Sequence, residues 1–203
     1  MQKTSLFRLL LAAAITITAG IWAGLQITTD APTATAPESS VITLLSPGRK
    51  LPPLEMLDQD ARPFGRADFE GHWSLVFMGF TNCGDVCPTT MAKLRMIYDG
   101  IDAPLSIVFV SVDPDRDTPG IIGKFVTAFN PDFIGITGAP GQIGKLAAAF
   151  GTSYSIHRSA DSYTVNHSSA LFLVDPSASV AGVISQPLQI NALIDALNRL
   201  LRE

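Results

Sequence analysis

Cysteine occurs at only two of the 203 positions, and the two lie four residues apart, at Cys83 and Cys87 in the stretch FTNCGDVCP. Such a pair can form a disulfide, act as a redox switch or bind a metal ion. Structural disulfides usually close longer loops, because the entropy that they remove from the unfolded chain grows with loop length. A bridge over so short a loop would stabilise little, so redox chemistry and metal binding are the stronger hypotheses.

The pattern around the cysteines predicts that they lie where a buried strand leads into a helix. The apolar run SLVFMGF (74–80) is typical of a strand buried on both faces, and helical spacing follows over 89–98. A helix N-terminus favours negative charge and lowers the pKa of a thiol there. Positions i and i+4 of a helical turn share one face, so both sulfurs can point at one object. Their spacing, wider than Cys-x-x-Cys, favours two thiolates around a metal ion over a fast disulfide shuttle.

The histidines are the candidates for a third ligand. His72 lies in a Gly-His-Trp turn before the first buried strand, and His157 lies in the polar segment YSIHRSADSY, which we interpret as an exposed loop. His167 lies directly before the hydrophobic segment ALFLVDP, among small polar residues. From the residues alone, a metal ligand and a strand-edge histidine satisfied by backbone are about equally good interpretations of His167.

Another concentration of polar groups is the loop 113–119, DPDRDTP. We interpret it as a strand-to-helix turn in which Asp117 or Thr118 caps the helix and Arg116 pairs with a carboxylate. The same loop should lie at the same edge of the sheet as the cysteines, where docking of a partner is the alternative role.

Asp85, between the cysteines, is interpreted as a capping or turn carboxylate, because a hard oxygen donor suits a soft metal poorly. Three methionines in predicted strands and helices are interpreted as core residues. They are Met78, Met91 and Met96.

Strands and helices alternate along the domain, which predicts an α/β sheet with helices on both faces and an added β-hairpin. Thr118-Pro119 is a good helix start, since a hydroxyl residue precedes a proline at the first helical position. The further strands are predicted at 105–113 and 133–138, with the hairpin at 170–176 and 180–185. The further helices are predicted from 119 to about 130, at 141–150 and at 188–202.

The N-terminal region predicts export. Residues 1–8 carry Lys3 and Arg8, and residues 9–29 carry no charge, a run that spans roughly the 30 Å core of a bilayer. We expect 1–8 in the cytoplasm, a transmembrane helix over 9–29, and the rest outside. A cleaved signal segment is the alternative.

The remainder of the chain divides into a linker and a domain. Residues 30–46 begin with DAPTATAPESS, a composition typical of a flexible tether, and 47–203 are long enough for one domain with a core. The net charge of -4 and the lack of a Lys/Arg cluster argue against nucleic acid as a partner.

Four motifs, in this order and spacing, resemble the SCO/SenC family from about residue 50 to the C-terminus. They are FMGFTNCGDVCP, VSVDPDRDTP, FNPDFIGITG and NHSSALFLVDP. The chain departs from the family pattern at Gly84, where proline is common, and at Asn166, where aspartate is common. Ser177-Ala178-Ser179 also replaces a common glycine turn.

The resemblance implies a membrane-tethered, thioredoxin-like copper protein that helps to assemble cytochrome c oxidase. It implies that Cys83, Cys87 and His167 bind one copper ion, as Cu(I) and as Cu(II). Two soft thiolates suit Cu(I) and an imidazole also suits Cu(II), although zinc accepts the same residues. Asn166 removes a negative charge beside the histidine, which bears on copper affinity or partner recognition.

We therefore expect a metallochaperone that delivers copper to the binuclear copper centre of cytochrome c oxidase or reduces the cysteines of that centre. The partners expected are the copper-bearing oxidase subunit and another periplasmic copper chaperone or thiol reductase. The location expected is the inner membrane, with the domain facing the periplasm. The alternative function is a membrane-tethered thiol-disulfide oxidoreductase, with Cys83 and Cys87 as its redox pair and incidental metal binding. A peroxiredoxin-like peroxidase is weaker, because no Thr-x-x-Cys pattern occurs.

Overall fold

The protein is described by a computed structural model that covers residues 41–159 and 162–202. Its strands are β1 (Thr43–Lys50), β2 (Met56–Asp58), β3 (Pro63–Phe64), β4 (Trp73–Gly79), β5 (Leu105–Ser111), β6 (Ile134–Gly138), β7 (Ser155–Arg158), β8 (Tyr163–Asn166), β9 (Leu171–Val174) and β10 (Ser179–Ile184). Its α-helices are α1 (Val86–Asp99), α2 (Pro119–Thr127), α3 (Pro140–Phe150) and α4 (Ile190–Leu200), and a short 3-10 helix spans Arg66–Phe69.

In the described part of the chain, eight strands form one mixed sheet in the order β1-β10-β9-β4-β5-β6-β2-β3. The three central strands β4, β5 and β6 are parallel, and the strands on either side are antiparallel to their neighbours. Strands β7 and β8 pair only with each other, as a separate hairpin. The central parallel strands are continuous apolar runs in the sequence because helices cover both faces of the sheet there.

Alternate residues of β4 face two different cores. Val76 and Met78 pack on the side that α3 covers, while Leu75 and Phe77 pack on the side that α1, α2 and α4 cover. This alternation follows from the two-residue period of a strand. The predicted α/β architecture with helices on both faces is therefore confirmed, and so is the antiparallel hairpin of β9 and β10.

The sheet topology brings three loops to one edge. The loops after β4 and β5 leave from the carboxyl ends of neighbouring parallel strands, in register from Trp73 and Leu105 onwards. Strand β9 is antiparallel to β4, and Leu171 at its beginning pairs with Phe77 near the end of β4. The segment that enters β9 therefore arrives where the chain leaves β4.

Several elements differ from the sequence-based predictions. Strands β1, β2 and β3 and the hairpin β7–β8 were not predicted, because short or largely polar strands lack a strong apolar period. His157 is exposed, as predicted, but it lies in strand β7 and not in a loop. Met78 and Met91 are core residues, whereas the prediction for Met96 was wrong, since 56% of it is exposed on the outer face of α1.

The sequence predicted that the folded domain begins at residue 47, but it begins earlier. Strand β1 begins at Thr43 and pairs with β10 as an edge strand. Residues 1–40, including the predicted membrane segment 9–29, lie outside the described residues. Among the helices that are described, none is long and apolar enough to cross a bilayer.

Gly135 makes the close packing of α2 on β6 possible. A Cβ at this position would lie 2.2 Å from Cγ2 of Ile122 and 3.2 Å from Cγ1 of Val126. We expect Gly135→Ala to lower the free energy of unfolding by about 1–3 kcal/mol, because the extra methyl group overpacks this contact. Denaturant unfolding with circular dichroism measures the change.

Gly144→Ala is the matched control. Gly144 lies in α3, and a Cβ there has no neighbour within 4 Å. Alanine should therefore leave the stability unchanged or raise it by up to about 1 kcal/mol through helix propensity. Equal stability of the Gly135→Ala protein and the unmodified protein would contradict the close packing of α2 on β6.

Candidate metal centre

Cys83 and Cys87 lie at the beginning of α1, as the sequence predicted. Cys83 is partly exposed in the turn that precedes the helix, and Cys87 is fully buried in its first turn. The N–H of Cys87 points at the sulfur of Cys83, with the nitrogen 3.4 Å from Sγ. No disulfide joins Cys83 and Cys87 in this structure.

The two thiols differ in acidity. Burial by itself would raise the pKa of Cys83, but hydrogen bonds from the backbone N–H groups of Asp85, Cys87 and Val86 outweigh it and lower the pKa below its ordinary value. Burial raises the pKa of Cys87 to about 12, and the nearby sulfur of Cys83 acts in the same direction. The free N–H groups at a helix N-terminus stabilise the exposed thiolate, while the buried sulfur keeps its proton.

The buried sulfur of Cys87 occupies space that Gly79 leaves at the end of β4. A Cβ on residue 79 would lie 3.0 Å from Sγ of Cys87 and 2.9 Å from the ring of Phe109. A side chain here would push the sulfur or the ring aside. The role of Gly79 was not predictable from the sequence, because glycine is common wherever a strand ends in a turn.

His167 lies between β8 and β9 and faces the buried cysteine. Its Nε2 is 3.6 Å from Sγ of Cys87, and its Nδ1 is 2.8 Å from the carbonyl oxygen of Ser168. The carbonyl can only accept, so Nδ1 carries the proton and Nε2 presents its lone pair to the sulfur. Burial lowers the pKa of His167, against backbone hydrogen bonds at Ser168 and Met78 that raise it, and this favours the neutral imidazole.

Two aromatic rings surround the imidazole. Phe80 and Phe77 contact His167 edge-on, with ring centroids 5.7 Å and 6.1 Å away respectively. These rings flank the imidazole and restrict its orientation. Their role was not visible in the sequence, where both residues belonged to the buried strand.

The donor set fits a soft metal ion. Sulfur and nitrogen donors bind one ion at about 2.3 Å and about 2.0 Å, which places them roughly 3.5–3.8 Å apart for bond angles of about 110–120°. The sulfur of Cys87 and the Nε2 of His167 match that separation. Within residues 41–159 and 162–202, however, no three His, Cys, Asp or Glu side chains form a closed cluster of metal ligands. The sulfur of Cys83, which accepts from the N–H of Cys87, is the further donor that would complete such a set.

The remaining polar candidates have other contacts. Asp85 is exposed directly before α1 and accepts a hydrogen bond from Oγ1 of Thr89 at 3.4 Å. His72 lies in a turn, with Nδ1 3.2 Å from the carbonyl oxygen of Glu70, as predicted. His157 contacts Oγ of Ser155 through Nε2 at 3.2 Å. The structure thus brings His167 to Cys87, whose backbone N–H points at the sulfur of Cys83, and leaves the other histidines apart.

The loop after β5 holds the cysteine loop in place. The buried carboxylate of Asp117 accepts hydrogen bonds from the backbone N–H of Thr81 at 2.9 Å and from Oγ of Ser111 at 2.6 Å. Arg116 pairs with Asp113, as predicted. The predicted side-chain cap on α2 is wrong, because neither Asp117 nor Thr118 forms one. Asp117 instead connects two loops that follow neighbouring strands, which the carboxyl-edge rule of α/β sheets could have suggested.

Comparison with known proteins adds to this geometry. The sequence model of the SCO1/SenC family matches residues 45–202. The chain belongs to the SCO1/SenC family. A protein of Stutzerimonas stutzeri, whose name describes it as a candidate copper-binding protein, is 34% identical over 165 residues, which are 79% of this chain and 81% of the relative.

Solved structures of the family share the fold. The crystal structure of Arabidopsis thaliana ScoI with copper bound is 29% identical, with a TM-score of 0.70, over 74% of this chain and 97% of that one. BsSco, described as a member of the Sco family of cytochrome c oxidase assembly proteins, is 21% identical, with a TM-score of 0.62, over 76% and 95% of the two chains. At that identity the likeness to BsSco shows the fold alone. The thioredoxin-like α/β fold implied by the sequence resemblance is confirmed.

The unequal thiols predict unequal reactivity. When the reduced, metal-free protein meets a limiting amount of iodoacetamide near neutral pH, Cys83 should be alkylated roughly tenfold or more faster than Cys87, because only Cys83 is accessible and has a lowered pKa. Peptide mapping by mass spectrometry measures both rates. In denaturant the two rates should become similar, and equal rates in the folded protein would contradict the assignment.

Proposed function

We propose that this chain binds one copper ion through Cys83, Cys87 and His167. The observation that carries the proposal is the 3.6 Å approach of the Nε2 lone pair of His167 to the sulfur of Cys87, with Cys83 one helical turn away. Two sulfur donors and one imidazole suit copper in both oxidation states. Zinc accepts the same residues, and the copper bound in the Arabidopsis relative supports copper.

Copper is the cargo of this protein and not a fixed structural component. Cys83 is partly exposed. Cys87 is buried against Gly79, and His167 packs against Phe77. The proposed site therefore has one accessible side, from which a partner can approach. Because three ligands leave the ion open to a further donor, the ion can pass to that partner without unfolding of the carrier.

The proposed partner is the copper-bearing subunit of cytochrome c oxidase. Membership of the SCO1/SenC family supports this assignment, and so does the accessible side of the proposed site. A second periplasmic copper chaperone or a thiol reductase is the proposed source of copper or of electrons. No Lys/Arg cluster occurs in the sequence, in keeping with a protein partner and against nucleic acid.

Reduction of the partner's cysteines is the second candidate for the same site. The contrast between Cys83 and Cys87 favours it, because the accessible thiol with the lowered pKa can attack a disulfide while the buried thiol resolves the mixed intermediate. Copper binding and disulfide exchange both require the reduced pair. One molecule cannot carry out both functions at the same time, since a sulfur that binds copper is not free to attack a disulfide.

Replacement of the histidine tests the copper site. We expect His167→Ala to weaken Cu(II) binding by roughly 100-fold or more, because loss of a ligand should cost at least as much as loss of one of its outer-shell partners. Cu(I) should be retained in part by the two thiolates. The measurements are the thiolate-to-Cu(II) charge-transfer absorption, a Cu(I) competition titration with a chelator, and the melting temperature.

His157→Ala is the matched control, since His157 is an exposed histidine on the neighbouring strand β7. It should leave both copper states unchanged. The unmodified protein with a Cys83–Cys87 disulfide should bind no copper, because it has no thiolate to offer. An unchanged absorption band in His167→Ala, or copper uptake by the oxidised protein, would contradict the proposed ligand set.

We also propose that residues 9–29 anchor the protein in the inner membrane, with residues 30–40 as a tether and the domain in the periplasm. The uncharged run after Lys3 and Arg8 supports this topology. In cell fractionation, the full-length protein should remain with the membranes, and its domain should be digested by protease added to spheroplasts.

Ala19→Arg is the matched control for the membrane segment. A charge at the centre of the run costs about 2.5–3.5 kcal/mol of insertion free energy, so this variant should leave the membrane fraction in large part. A soluble, N-terminally trimmed form as the main exported product of the unmodified chain would contradict the anchor.

A further inference from the structure

The hairpin of β7 and β8 carries His167 but is not part of the main sheet. His167 follows directly on Asn166, the last residue of β8, and in the described part of the chain the two strands of the hairpin pair only with each other. Side-chain contacts must therefore fix this hairpin relative to the cysteines. The position of its end decides where the imidazole lies.

Arg116 connects the hairpin to Phe80, an aromatic ring that packs against His167. Its guanidinium lies 3.8 Å from the ring centroid of Tyr163, the first residue of β8, and 5.8 Å from that of Phe80. Phe80 in turn packs edge-on against His167. One planar cation is thus in contact with the strand that leads to His167 and with a ring that packs against His167.

A buried carboxylate holds Arg116 in this position. Asp113 is fully buried and accepts hydrogen bonds from Nε of Arg116 and from the hydroxyl of Tyr163. A second ion pair, between Arg158 and Asp115, joins the other strand of the hairpin to the same loop. Asp113 thus gives Arg116 and Tyr163 a common partner. Movement of Arg116 would leave a buried charge unpaired, and movement of Tyr163 would remove one of its hydrogen bonds.

We propose that Arg116 is a positioning residue for His167, and that it sets the distance between the imidazole and Cys87 through Tyr163 and Phe80. The proposal rests on the copper site proposed above. Arg116 itself is not a ligand, since a guanidinium has no acceptor. Its planar, delocalised cation can stack on an aromatic ring while Nε bonds a carboxylate, which a lysine ammonium cannot reproduce.

The test compares Arg116→Lys with the unmodified protein. Lysine keeps a positive charge for the buried Asp113 but lacks the planar group that stacks on Tyr163. In the reduced, metal-free protein, we expect amide hydrogen exchange in 155–166 to become roughly tenfold or more faster, while the central strands and the melting temperature change little. With copper, Cu(II) affinity should fall by roughly 10- to 100-fold, as for loss of an outer-shell partner, and Cu(I) affinity by much less.

Two substitutions of the tyrosine keep the test decisive if Arg116→Lys unfolds. Tyr163→Leu removes the ring and should reproduce the effects on exchange and on Cu(II), while Tyr163→Phe keeps the ring and should give a smaller change.

Arg95→Lys is the matched control. Arg95 lies on α1, where it also forms an ion pair, with Asp99, and a hydrogen bond to a backbone carbonyl. It should alter neither the hairpin nor copper binding.

The two measurements separate the two proposals. Unchanged exchange of the hairpin in Arg116→Lys and in Tyr163→Leu would overturn the positioning role, and so would an equal loss of Cu(I) and Cu(II). Absence of a thiolate-to-Cu(II) band in the unmodified protein would instead count against the copper site. In that case the exchange data alone decide whether Arg116 fixes the segment that carries His167.

Discussion

The antiparallel pairing of β9 with β4 is the constraint on which the site depends. It brings the beginning of β9 to the end of β4, so His167 meets a cysteine that lies 80 residues earlier in the chain. The pairing is strongly specified because β4 is buried on both faces, and a shift by one residue would move every side chain to the wrong core. The buried centre of the sheet therefore brings the histidine segment to the cysteines.

The same buried edge gives the two sulfurs different properties. Cys87 lies in a space created by Gly79 and loses contact with water, whereas Cys83 remains at the free N–H groups of α1. One thiol is anchored and the other is accessible. Such an arrangement suits both an open copper carrier and a disulfide exchanger, which explains why a single cysteine pair is compatible with both functions.

The loop after β5 has a double role. Through Asp117 it holds the cysteine loop at Thr81, and through Arg116 and Asp113 it holds the hairpin that carries His167. From the sequence, this loop was predicted to be a strand-to-helix turn with a cap and an ion pair, and the ion pair is confirmed. The loop's larger role depends on contacts with two segments that are distant in the chain.

Much of the architecture was predictable from local patterns. The central strands, the four helices and the hairpin of β9 and β10 follow from apolar runs and helical periods that are visible in short windows, and the position of Cys83 and Cys87 before a helix follows with them. The short strands β2 and β3 and the polar hairpin β7–β8 were missed, because their pairing partners, and not their own composition, make them strands.

By itself, the sequence determined the fold class, the position of the cysteine pair at a helix N-terminus, and the family. From the residues alone, His167 remained equally good as a ligand or as a strand-edge histidine. Only the tertiary structure decided that His167 and not His157 faces Cys87, that the two thiols are unequal, and that Arg116 contacts Tyr163 and Phe80. The physical reason is that burial and orientation arise from long-range packing between segments, and no local period of the chain records which segments meet.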